Sequence, residues 1–87
     1  MRGPMTKREK LIERLRTNFK NVRYEELEAL LLHLGFRQRQ NGTSHAVFTH
    51  TEFPHLRLTV PVRKPFIKPV YVEQALEILQ ELDDLLD

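Results

Sequence analysis

Asn41-Gly42, set between two strand-like runs, is the feature that most narrows what this 87-residue chain can become. Both residues tolerate the positive φ that a type I′ turn demands, so they predict an antiparallel hairpin with strands over 36–40 and from 43 or 44 to 50. A third run, 55–60, alternates cleanly. Leu56, Leu58 and Val60 fall on one face and His55, Arg57 and Thr59 on the other, as in a half-buried strand. Register in the hairpin stays open. A strict two-residue turn pairs Gln40 with Thr43 and Gln38 with His45, placing Phe36 and Val47 on the histidine's face, with Ala46 and Phe48 on that of Arg37 and Arg39. A bulge at Gly42 reverses that parity and brings both arginines onto the face of His45.

Helices flank the three strands. Thr6-Lys7-Arg8-Glu9 is a capping box, and Leu11, Ile12 and Leu15 form one stripe of a short helix ending near Thr17-Asn18. Phe19 and Val22 follow as apolar anchors in a connector. The helix reads as a packing element appended to the domain, with a second reading in which Lys7, Arg8, Lys10, Arg14 and Arg16 touch phosphate. A second helix over 24–34 carries Leu27, Leu30, Leu31 and Leu34 at helical spacing. Glu25, Glu26 and Glu28 lie near its start, where the helix dipole favours acids, and Gly35 stands where a C′ glycine belongs. His33, in the last turn, reads as solvent-facing. Pro61, Pro65 and Pro69, with Arg63, Lys64 and Lys68 among them, mark a stiff basic loop. Its role is either a rigid connector or a phosphate-contacting edge. The last helix, 72–86, is lined by Ala75, Leu76, Ile78, Leu79, Leu82 and Leu86.

This order predicts an α+β fold, α-α-β-β-β-α, with helices on one face of a three-stranded antiparallel sheet. Residues 1–22 are the N-terminal helix and connector; 23–87 are the main domain. Charge is uneven along the chain. Up to residue 40 there are ten Lys/Arg against five Asp/Glu, from 41 to 70 four against one, and from 71 onward six acids and no base. A basic body with an acidic last helix offers one face to an anion and another that repels it.

No cysteine is present, which excludes a disulfide framework, thiolate zinc sites and cysteine nucleophiles, and fits a reducing cytoplasm. The longest apolar run is too short to span a bilayer, so no membrane partner is expected. Met1-Arg2-Gly3-Pro4 is basic but no apolar stretch follows, so secretion is not expected either. His45, His50 and His55 are five residues apart, which matches no helical metal pair, and no Cys or Asp completes a tetrahedral set. Ser44 abuts His45, so on a strand the two point to opposite faces and make a poor triad.

One chemical reading remains. A histidine held near a turn can take a proton near neutral pH, and fixed arginines suit a phosphate. His45 is thus the candidate base for RNA cleavage, with Arg37, Arg39 or Arg57 stabilising the charge that develops on phosphorus. A structural histidine is the competing reading.

The residues also carry a resemblance. A leucine-rich helix leading to Leu34-Gly35-Phe36, then Arg39-Gln40-Asn41-Gly42-Thr43-Ser44-His45, an apolar strand, and Leu58-Thr59-Val60-Pro61 before a last helix is similar to the HicA family of toxins. The resemblance covers roughly residues 24–82. It implies a double-stranded-RNA-binding-like fold and a ribosome-independent mRNA interferase of a toxin-antitoxin system, needing no cofactor and neutralised by a HicB-like antitoxin. The family's glycine-serine-histidine hairpin matches Gly42, Ser44 and His45, with Thr43 inserted, so its catalytic histidine carries onto His45. Arg63 stands where the family has a second histidine, and Pro69-Val70-Tyr71-Val72 replaces its glycine-threonine-leucine helix start. The RNA contacts expected are Arg37, Arg39, Gly42, Ser44, Arg57, Arg63 and Lys64. The partners expected are mRNA, the antitoxin and, through a homodimer, a second copy of the chain. A non-catalytic RNA-binding module is the alternative function, and a unit that only receives a protein partner on its sheet is a third.

Overall fold

The computed structural model describes residues 4–40, 44–63 and 65–86. In chain order these form α1 (Lys7–Thr17), α2 (Tyr24–His33), β1 (Phe36–Arg39), β2 (His45–His50), β3 (Arg57–Pro61) and α3 (Pro69–Leu86). The sheet is antiparallel throughout with β2 at its centre, so the α+β order read from the sequence is the one observed.

Local signals account for most boundaries. Thr6 accepts from the Glu9 amide while Glu9 accepts from the Thr6 amide, closing the capping box of α1. Gly35 ends α2 with φ +97°, and its carbonyl accepts from both the amide and hydroxyl of Thr51. Two elements shift most from expectation, while the end of α2, the end of β1 and the start of β2 move by a residue or so. The last helix starts at Pro69 rather than near 72, because a proline at the first helical position gives up an N–H that would be unpaired anyway. The third strand begins at Arg57 and ends at Pro61, and beyond the proline the Val62 amide bonds the Ser44 carbonyl at 2.7 Å.

One face of the sheet carries the core. Phe36, Ala46, Phe48, Leu58 and Val60 point into it, together with Leu56 just before β3. From the helical layer come Ile12 and Leu15, Tyr24, Leu27 and Leu31, and Val72, Ala75, Leu79 and Leu82. The connectors join in. Val22 and Ile67 are both buried, and the Ile67 amide bonds the Val22 carbonyl at 2.9 Å. The appended helix α1 therefore shares the core of the whole chain.

Two polar devices tie elements together. The Arg8 Nε donates to Asp83 Oδ1 at 2.6 Å, joining α1 to α3 across 75 residues, with the Asp83 side chain almost wholly buried. Asp83→Ala leaves that guanidinium without this partner and should cost about 1–3 kcal/mol, read from denaturant unfolding.

Gln38 Nε2 lies 2.6 Å from both the Tyr24 hydroxyl and Glu28 Oε2, linking β1 to α2. Burial, reinforced by the Glu28 carboxylate, holds the Tyr24 hydroxyl above its usual pKa of 10.0. The folded chain thus keeps that proton more tightly than the unfolded one. Its contribution is intact below pH 10 and is lost as pH rises through the raised value. Tyr24→Phe should therefore flatten the alkaline limb of the stability curve, at a neutral-pH cost of about 1 kcal/mol for the lost hydrogen bond.

Candidate functional site

Register decides what the site contains. β1 and β2 pair Phe36 with His50, Arg37 with Thr49, Gln38 with Phe48 and Arg39 with Val47. The strict two-residue turn, which required Gln38 opposite His45, is therefore not adopted. The Asn41-Gly42 turn itself falls outside the described residues, as do Thr43 and the candidate contacts Gly42 and Lys64. The parity is the one that puts Arg37 and Arg39 on the face of His45. On β3 the pairs are His45 with Pro61, Val47 with Thr59 and Thr49 with Arg57.

The outer face of the sheet is thus laid out in rows. Arg37, Thr49 and Arg57 form one row, Arg39, Val47 and Thr59 the next, and His45 with Pro61 the last. Strands lie about 4.8 Å apart and same-face residues about 7 Å apart along a strand. Arg39 is then a diagonal neighbour of His45, near 8 Å between Cα atoms, a gap its long side chain can span. Arg37 and Arg57 stand about 14 Å from the histidine along the strand direction, on either side of Thr49.

The face has no acidic residue on its strands, and the three arginines and His45 are all exposed. Among the described residues no carboxylate pairs with Arg37, Arg39 or Arg57. The exposed acids lie off the strands, on α1, α2, the loop after β2 and, at Glu73, Glu77, Glu81 and Asp84, on α3. This makes the outer sheet face a surface for anions, with one proton-accepting group at its end.

The histidines separate by environment. His50 lies five residues beyond His45 on the same strand and so faces the opposite way, into the helical layer, where it is 4% exposed. Its Nδ1 accepts from the amides of Glu52 (3.1 Å) and Phe53 (3.3 Å), which places the ring proton on Nε2, 3.0 Å from the Leu34 carbonyl. Phe36 and Phe53 pack against the ring at 5.0 and 5.2 Å between centroids. His50 is a structural clamp between the end of α2 and the loop after β2. His55, expected on the outer strand face, lies before β3, with its Nε2 3.3 Å from Glu81 Oε2 of α3. His33 is exposed at the end of α2. Among the described residues no group of three potential metal ligands converges.

Thr59 stands on this face as the alternation of the third strand predicts, and Thr49 adds a second hydroxyl that sequence reasoning had not assigned to it, a placement that strand alternation could have shown once the register was known. Ser44 is exposed beside His45, and its carbonyl is used by Val62. Arg63, two residues past Pro61, is exposed at the His45 end of the sheet. None of the described helices is long and apolar enough to cross a membrane. Comparison with protein-family models, with curated proteins and with solved structures found no match for this chain.

Proposed function

We propose that this protein is a HicA-type toxin, a metal-independent endoribonuclease that cleaves mRNA on the outer face of its sheet. The observation that carries the reading is the register, which sets His45 on a solvent-facing surface with Arg37, Arg39 and Arg57 and no strand carboxylate.

In this mechanism the His45 imidazole takes the proton of a ribose 2′-hydroxyl. The freed oxygen attacks the adjacent phosphorus, forming the 2′-O–P bond as the P–O5′ bond breaks. Arg39, the nearest to His45 of the three strand arginines, stabilises the charge gathering on the phosphoryl oxygens. Water at this open surface protonates the departing 5′-oxygen. Arg37 and Arg57 hold phosphates further along the strand. The attacking group is absent from DNA, so the chemistry selects RNA. An antitoxin that silences the enzyme would cover this face and bring carboxylates to its arginines.

The products test the reading. Cleavage should leave a 2′,3′-cyclic phosphate on one fragment and a 5′-hydroxyl on the other, read by mass spectrometry, and a 2′-O-methyl substrate should stay intact. Bound but uncut unmodified RNA would favour the non-catalytic RNA-binding module, for which Arg63 in place of a second histidine is the supporting observation.

Electrostatics give a second test. The triple variant Arg37→Gln/Arg39→Gln/Arg57→Gln should weaken binding of a 2′-O-methyl oligoribonucleotide. It should also reduce the slope of log K against log salt by about 2, near 0.7 for each single-strand phosphate that is no longer neutralised. An unchanged slope would remove these arginines from the RNA path.

A further inference from the structure

Past the His45 end of β3 the chain runs through Val62 and Arg63 and returns by Ile67 and Lys68 into α3. It encloses a small pocket of about 60 Å³, lined by Pro61, Arg63, Ile67, Lys68 and Tyr71. Two of the five lining residues are cations, one is a tyrosine, and none is acidic. Among the described residues no carboxylate pairs with Arg63 or Lys68, and the first turn of α3 has no acid. Small-molecule sites run to about 300 Å³ or more, so a base or nucleoside is too large for this one. A single tetrahedral oxyanion is of the right size and charge. The pocket also has a fixed relation to His45. Its Pro61 wall is the cross-strand partner of His45, about 5 Å away between Cα atoms.

We propose that Arg63, Lys68 and Tyr71 form a phosphate subsite that holds one backbone phosphate of the RNA next to the bond cleaved at His45. The inference rests on the ribonuclease reading and extends it. Arg39 lies on the β1 side of His45 and the pocket on the β3 side, so at His45 the RNA backbone passes from the β1 side to the β3 side. Arginine supplies a planar fork and lysine a point charge for the phosphate oxygens. Ile67 and Pro61 keep one wall apolar, which strengthens those contacts by excluding water.

The test uses the whole chain, uniformly labelled with ¹⁵N, titrated separately with inorganic phosphate and with a 2′-O-methyl oligoribonucleotide. Both should shift the amides of Ile67, Lys68 and Tyr71 to saturation, and the oligonucleotide should shift those of β2 as well. Arg63→Gln/Lys68→Gln should abolish the phosphate response and weaken oligonucleotide binding about tenfold, while Lys68→Arg should retain both. Both replaced side chains are exposed, so the amide spectrum elsewhere should be unchanged.

Saturating shifts with phosphate but not with the oligonucleotide would make the pocket an anion site off the RNA path and overturn the proposal. Shifts on β2 alone would overturn it too. A pocket that takes the oligonucleotide phosphate in a protein that leaves unmodified RNA uncut would uphold the subsite and defeat the ribonuclease reading.

Discussion

Replacing His45 by alanine is expected to lower the rate of RNA cleavage by about 10²–10⁴-fold while changing the unfolding free energy by no more than about 0.5 kcal/mol. The two halves of this result have separate causes. In the proposed mechanism general-base catalysis supplies the rate, with the His45 imidazole as the proton acceptor beside Arg39. Stability is spared because His45 is exposed at the end of its strand, where the pairing with Pro61 is a backbone property that alanine retains. Binding should be almost unaffected, since the proposed mechanism gives the phosphates to the arginines and not to the histidine. Affinity for a 2′-O-methyl oligonucleotide, measured beside cleavage, separates a lost base from a lost binding face.

His50→Ala should do the reverse and destabilise the protein by about 2–4 kcal/mol. The imidazole satisfies the Leu34 carbonyl and the amides of Glu52 and Phe53 at a site closed to solvent, and it fills the space between Phe36 and Phe53. Alanine leaves those groups unpaired and opens a cavity. The same clamp explains Gly35. A Cβ there would sit 2.9 Å from the His50 Nε2, at a φ of +97° that other residues rarely adopt. Chemical denaturation would show a lower midpoint with an unchanged slope. At temperatures where the variant remains folded it should still cleave RNA, because its side chain lies on the other face of the sheet from His45. Strand parity alone thus sets two histidines five residues apart on opposite faces, one buried as a clamp and one exposed as the proposed base.

Much of this was legible in the sequence. Thr6 with Glu9, Gly35 after the last leucine of α2, and the alternation of Leu56, Leu58 and Val60 are local signals, each written in a few adjacent residues. The content of the site was less so. Whether Arg37 and Arg39 share a face with His45 depends on the count of residues between strands, and a change of one reverses it. The strict turn and the bulged one were equally consistent with Asn41-Gly42. His50 reads on sequence as one more histidine in a β-branched run. Its role depends on Gly35 and Leu34, brought beside it by the same pairing. The Arg8–Asp83 bridge spans 75 residues and follows no periodicity. The pocket beyond Pro61 needed Pro69 to be recognised as a helix start, since only then does Tyr71 fall in the first turn of α3, back against the end of β3.

The most direct test of the central claim is incubation of purified protein, wild type and His45→Ala, with a generic mRNA in EDTA, with fragments resolved on a gel. Fragments from wild type and intact RNA from His45→Ala are the predicted result. Equal cleavage by both proteins would contradict the assignment of His45. Intact RNA in both lanes, with a shifted band, would contradict catalysis altogether and leave a sheet that only binds.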